Sequence, residues 1–187
     1  MILLVILAMA LLISLLLGGS LRALGQVDLR YGGLVILAMG IQIVVFSPRW
    51  QAMVGGGFWS HLLYVFSLLL LVAVVCFNRH VSGFALLGLG LLSNTLVIAA
   101  NGGRMPASLR ALRVAGIAVS RAEFETLRVT NSTLIGDQTA LWFLADIFAI
   151  PQVVPFSNIF SIGDVFIALG GIWFVWFATR PAKPREA

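Results

Sequence analysis

Long apolar runs separated by short polar links dominate this chain. Residues 1–17, 31–46, 60–77, 83–101 and 160–179 are each built mainly from Leu, Ile, Val, Ala and Phe. Each run approaches the ~20 residues with which an α-helix crosses a hydrocarbon core about 30 Å thick. The breaks carry their own signals. Ser47-Pro48 ends the second run, because proline steers the residue before it away from helical geometry. Asn101-Gly102-Gly103 ends the fourth, with residue types that accept the left-handed conformation of a helix stop. Between the fourth and fifth runs the pattern changes. Over 104–131, Leu109, Leu112 and Leu127 alternate with Arg110, Arg113, Arg121 and Arg128, an amphipathic arrangement that predicts a segment lying on a membrane surface. Met105-Pro106 predicts the start of a first short helix there. Ser120 and Glu123 have capping-box spacing for a second, with Gly116 as the break between them. Residues 134–150 are apolar but interrupted by Asp137 and Asp146, and read as a re-entrant or interfacial stretch. The expected fold is an all-α polytopic membrane helix bundle forming one domain over 1–187. It has about five transmembrane helices and the amphipathic and re-entrant segments lie between the fourth and the fifth.

Composition agrees with that pattern. Charged residues make up 10% of the chain and the mean hydropathy is +1.06, against about 25% charged residues in soluble domains. The formal net charge is +5, but the cations are scattered through the links without interleaved aromatics, which excludes the basic stacking surface of a nucleic-acid binder. Cys76 stands alone inside an apolar run, so no intrachain disulfide forms. The first run lacks a basic start and a small-residue cleavage site, and reads as a retained helix rather than a leader. Placing the amino terminus outside puts Arg22, Arg30, Arg79, Arg180, Lys183 and Arg185 on the cytoplasmic side. That orientation satisfies the positive-inside rule, and the five arginines of the long fourth link count little in it.

Few polar groups stand inside or beside the apolar runs, and these are where chemistry is expected. Gly90, Asn94 and Asn101 share one face of the fourth run, a small polar stripe suited to meeting another helix. Asp164 falls about one turn inside the last run, with Ala168 and Gly171 as a small stripe beneath it. An acid at a packed helix interface marks a functional-site candidate in a membrane protein. Asp146 precedes a link containing Pro151 and Pro155 that is long enough to bring the two carboxylates together. Such a pair would split in protonation and serve as acid and base of an aspartyl hydrolase. A plainer account uses the same residues. Asp164 caps its helix, and either acid pairs with Arg104. Asn101 and Arg104 are candidates for holding a substrate or lipid headgroup, Arg104 through its bidentate guanidinium. His61 joined to the two aspartates would be a thin metal site, and no metal or other cofactor is expected.

Two resemblances bear on these residues. The strings NGGRMP at 101–106, LADIFAIP at 144–151 and SIGDVFIALG at 161–170 resemble an uncharacterised family of bacterial five-helix membrane proteins, known as a domain of unknown function. The resemblance implies a multi-pass bacterial inner-membrane protein and no particular activity. More locally, Ala145-Asp146-Ile147-Phe148 and Phe160-Ser161-Ile162-Gly163-Asp164 look like the two acid-bearing places in the carboxy-terminal half of lipoprotein signal peptidase. That resemblance implies a catalytic pair formed by Asp146 and Asp164. It departs from the family pattern at Ser161, where that family has asparagine, and in helix count. The expected function is an outer-leaflet Asp/Asn/Arg site acting as an aspartyl hydrolase of a lipid-linked or membrane-embedded substrate. The alternative is a non-catalytic subunit of a larger membrane complex, whose small-residue stripes and Trp142, Trp173 and Trp176 contact partners or their cofactors.

Overall fold

The computed structural model describes residues 2–127 and 131–180; Arg128, Lys183 and Arg185, invoked above, lie outside the described residues. In chain order the helices are α1 (Ile2–Leu16), α2 (Leu21–Leu24), α3 (Gly33–Val45), α4 (Pro48–Met53), α5 (Phe58–Phe77), α6 (Phe84–Ala100), α7 (Leu109–Val114), α8 (Arg121–Thr126) and α9 (Ile162–Ala178). The predicted runs each coincide with one long helix, a residue or two shorter at each end except for α5, which starts two residues earlier than expected. The 20-residue α5 is long and apolar enough to cross a membrane; α1, α3, α6 and α9 are apolar helices of 13 to 17 residues.

The long helices pack as a row of neighbours in the order α3, α5, α6, α9, α1. At one end of the row, the hydroxyls of Ser14 in α1 and Thr179 after α9 lie 2.6 Å apart, and the Asn78 amide after α5 exchanges two bonds of 2.8 Å with the backbone of Arg30. Arg22, Arg79 and Arg180 belong to this end as well. Segment 101–161 sits at the other end, beside the first turns of α1 and α9.

Hydroxyl and amide groups share the interior of the row with small and branched apolar side chains such as Ala38, Val45, Val97 and Ile98, while large apolar side chains face outward. Ser14, Ser67, Asn78, Thr95 and Thr179 are buried, and Gln42 of α3 donates to the Ser67 hydroxyl of α5 at 3.0 Å. Leu4, Ile36, Ile43 and Leu69 point outward and are about half to three-quarters exposed.

Glycines set the closest packing, between the antiparallel α6 and α9. A side chain at Gly90 would strike the backbone of Gly163 and Ile167, and one at Gly170 would strike Leu87 and the carbonyl of Gly83. The small stripe of α9 facing α6 is therefore Gly163 and Gly170, a residue away from the predicted Ala168 and Gly171. Gly171 faces Leu7 of α1 instead. The 3.6-residue turn rotates adjacent positions about 100° apart, so a one-residue change of stripe exchanges the neighbouring helix.

Segment 101–161 corrects the all-α expectation, because it holds four short strands. β1 (Met105–Ala107) pairs in parallel with β2 (Ser132–Leu134), and β3 (Phe148–Ile150) pairs antiparallel with β4 (Asn158–Phe160). Met105-Pro106 therefore opens a strand, not a helix; α7 starts later, where the Ser108 hydroxyl accepts from the Ala111 N–H. The second helix begins as expected, with Ser120 accepting from the Glu123 N–H at 3.2 Å and Gly116 left-handed at φ 70°. Residues 134–150 form the end of β2, a turn, a short 3-10 helix at Trp142–Leu144 and β3, so no helix dips into the bundle there. Nor do residues 104–127 only lie flat as an amphipathic surface segment. Ala107, Leu112, Ala118 and Phe124 close a small core of their own with Ile117, Leu134 and Ile159, which makes the segment a folded lobe.

Candidate functional site

Asp164 occupies the third position of α9, and its local sequence explains its pose. Ser161 is the N-cap, and its hydroxyl accepts from the Asp164 N–H at 3.1 Å. The Asp164 carboxylate reaches back, and Oδ2 accepts from the Ser161 N–H at 2.9 Å. This reciprocal box satisfies two donors that a helix start otherwise leaves open. The second oxygen, Oδ1, accepts from the Asn94 amide of α6 at 2.9 Å. The Ser161 hydroxyl proton faces two acceptors, Asn94 Oδ1 at 2.9 Å and Asp164 Oδ2 at 3.0 Å. Gly163 makes the arrangement accessible, since a Cβ there would overlap the Asn94 amide. Asn94, Ser161 and Asp164 thus form one polar knot at the junction of bundle and lobe.

Asp146 reaches the same region from the lobe. Its backbone N–H donates to Pro106 O at 2.9 Å and its carbonyl accepts from the Ser108 N–H at 2.9 Å, so it extends the β1–β2 pair by an isolated bridge at Ala107. Its neighbour Ala145 is fully buried in the core formed with Leu68, Val97, Ile98 and Met105. Among the described residues no side-chain or backbone donor bonds the Asp146 carboxylate, in contrast to Asp164. Burial, with the negative charge of Asp164 adding to it, pushes the Asp146 carboxyl up from 3.8 to about 7.

The remaining predicted residues separate. Asn101 stays at the end of α6, where its amide donates to Val97 O at 2.7 Å and Ala140 O at 2.9 Å and its Oδ1 accepts from the Ala140 N–H at 3.0 Å. These bonds clamp the lobe to the bundle and leave the amide nitrogen's two hydrogens spent, so a headgroup-binding role for Asn101 is not what its geometry serves. Arg104 pairs with neither aspartate by hydrogen bonding among the described residues; its Nε donates to His61 Nε2 at 3.3 Å. His61 is accordingly turned to Arg104 rather than to a metal shared with the acids, and among the described residues no three His, Cys, Asp or Glu side chains gather as ion ligands. Gly103, left-handed at φ 77°, lies so close to His61 that a side chain there would collide with it.

An apolar groove of 380 Å³ leads to Asp164. Ile2, Leu3 and Ile6 of α1 form one wall, Val165, Ala168 and Leu169 of α9 another, and the β3–β4 hairpin closes one end. Asp164 and Asn158 are its polar groups. Sequence reasoning located the acid but missed the groove, because the part of α1 in it carries no polar marker. It also missed Ser161, although the spacing Ser-x-x-Asp before an apolar run is a capping-box signature.

A family model covers residues 26–176, spanning α3, α5, α6, the lobe and nearly all of α9. The chain belongs to the DUF5317 family, a family of unknown function. The DUF5317 match includes Asn94, Asp146, Ser161 and Asp164 and excludes α1, so the polar knot falls within the family region and one wall of the groove outside it. This DUF5317 chain is also similar to an uncharacterized protein of Thermotoga maritima, 26% identical over 136 residues that cover 69% of this chain and 74% of the relative. No solved structure matches it.

Proposed function

We propose that this chain is a five-span bacterial inner-membrane protein whose outer face carries an aspartyl acid–base site, and that the site hydrolyses an amphiphile drawn from the surrounding leaflet. The observation that carries the reading is the asymmetry of the two acids at the junction of bundle and lobe, with an apolar groove leading to Asp164. Asp164 is held by donors on both oxygens, while Asp146, half-buried, accepts from none among the described residues. Environments that set two carboxyls apart in this way assign an acid and a base. Asp164 takes a proton from water, whose oxygen forms the new bond at the scissile centre. Asp146 gives its proton to the leaving group as the old bond breaks, and the net proton then passes from Asp164 to Asp146 through solvent. The hydrocarbon part of the substrate lies in the groove between α1 and α9.

The membrane reading rests on the many large apolar side chains bare on the outside of the row, together with hydroxyl and amide groups buried within it, which suits a hydrocarbon solvent. The cations Arg22, Arg30, Arg79 and Arg180 at one end supply the cytoplasmic side, with the lobe outside. The helices of 13 to 17 residues rise only about 20–26 Å, so the bilayer thins locally or the flanking residues complete the crossing.

Incubating vesicles of bacterial membrane extract with the protein in H₂¹⁸O tests the activity. The wild type yields products carrying one ¹⁸O, and Asp146→Asn and Asp164→Asn reduce them at least about 100-fold, the usual loss when an acid–base group is removed. A wild type that incorporates no more label than either variant contradicts the reading.

A second reading is favoured by the completeness of the Asn94–Ser161–Asp164 bonding, which an architectural knot would need and a reacting base would not. In that case the chain is a non-catalytic subunit of a membrane complex. Purification in mild detergent separates the two, since a subunit brings a stoichiometric partner with it and a self-sufficient hydrolase does not.

A further inference from the structure

We propose that the recess between α8 and β2 binds the phosphate of an anionic phospholipid headgroup through Arg104 and Arg121. The recess has a volume of 290 Å³, with the two arginines, Phe124, Glu125 and the strand residues Ser132 and Thr133 around it. Two guanidinium groups against one carboxylate leave it net positive. Arginine presents a planar fork that matches phosphate oxygens two at a time, and the hydroxyl-bearing Ser132 and Thr133 add shorter donors beside it. The two unprotonated oxygens of a lipid phosphodiester each accept more than one hydrogen bond, so they can share the guanidinium forks and the hydroxyls around the recess.

Arg104 is fixed for this task. Its Nε is tied to His61 Nε2, which leaves the outer nitrogens of the fork to turn toward a ligand. Arg121 is exposed, and among the described residues no hydrogen bond engages it with a carboxylate. The surroundings of the recess point to a lipid rather than a free ion. The Arg104 fork lies against Gly56, in the loop that leads into Phe58 and Trp59, which are 70% and 63% exposed. Exposed aromatics at the end of an apolar helix sit at headgroup level in a bilayer, which is where lipid phosphates are. The assignment rests on the membrane reading above and is independent of the hydrolase chemistry.

The test uses the full chain purified in a neutral detergent and mixed with dioleoyl phosphatidylglycerol or with dioleoylglycerol, which lacks the phosphate, with retained lipid counted by native mass spectrometry. Phosphatidylglycerol is expected to be retained about tenfold better than dioleoylglycerol, and Arg121→Gln to abolish most of that preference, as the loss of one charge-assisted fork implies. Arg121→Lys is expected to fall between, because it keeps the charge and loses the fork. Arg121 is on the surface, so this result does not depend on refolding; Arg104→Gln is the second variant, accepted only with an unchanged Tm. Retention of phosphatidylglycerol by Arg121→Gln equal to the wild type overturns the site. Displacement of the lipid by millimolar inorganic phosphate overturns the lipid as its ligand. Failure of the membrane reading shows separately, as a chain that carbonate washing releases from membranes.

Discussion

Asp146 and Asp164 are the same residue type near the junction of bundle and lobe, yet their surroundings differ: Asp164 accepts on both oxygens and, among the described residues, Asp146 on neither. The Asp146 carboxyl binds its proton more tightly in the folded chain than in an unfolded one, where an aspartate titrates near 4. Its contribution to stability is therefore fully present below about pH 4 and is lost as the pH rises through about 7. Asp146→Asn removes the penalty of a buried charge. Thermal unfolding in detergent is expected to show the variant more stable than the wild type at pH 8 by a few kcal/mol, since each tenfold change in proton affinity between the folded and unfolded chain is worth about 1.4 kcal/mol. The difference is expected to vanish near pH 4. An unchanged difference across that window would mean that Asp146 is solvated. Asp164→Ala acts in the other sense. It opens the capping box and strands the Asn94 amide, and is expected to cost about 2–4 kcal/mol at neutral pH in the same assay. Asp164 as a cap was legible in the Ser-x-x-Asp spacing. The unsatisfied state of Asp146 was not, because it depends on what the lobe places around it.

At the scale of elements, the α6–α9 seam shows how little freedom the site has. Gly90 and Gly163 let the two backbones approach until Asn94 reaches Asp164. Gly163→Leu forces the helices apart and is expected to lower Tm by an amount corresponding to at least about 1–3 kcal/mol. Ala168→Leu faces the groove rather than α6, so it should leave Tm nearly unchanged and instead reduce turnover of long-chain amphiphiles; equal effects of the two would put the seam in the wrong place. Apolar run length and Pro, Gly and Ser stops made the long helices readable from the residues. Strands of three residues have no usable period, and β1 finds its partner in β2 far along the chain, so pairing of Met105–Ala107 with Ser132–Leu134 is a tertiary decision. Only the proline at 106, which biases Met105 toward extended backbone, hinted at it.

For the whole molecule, buried hydroxyls and amides set among Ala, Val and Leu, with Leu, Ile and Phe bare outside, join the separate observations. Arg22, Arg30, Arg79 and Arg180 stand at one end of the helix row, and the lobe at the other end, which carries Arg104, Arg110, Arg113 and Arg121, folds its own core. The acids lie where lobe and bundle meet, and the groove leads to Asp164. Composition alone pointed to the membrane class, and one helix, α5, is long and apolar enough to cross a bilayer, whereas the lobe was hidden because Arg-Leu alternation describes a surface helix and a small half-buried core equally well. The claim that binds these parts together is that the acid site faces outward on a membrane-embedded chain. Cysteine labelling of intact cells tests it most directly. Starting from Cys76→Ser, which removes the one native cysteine, single cysteines are introduced as Asp137→Cys in the lobe and His80→Cys at the opposite end, both exposed positions. With a membrane-impermeant maleimide, position 137 is expected to label in intact cells and position 80 only after permeabilisation. Labelling of position 80 in intact cells, or of neither position before permeabilisation, would contradict the account.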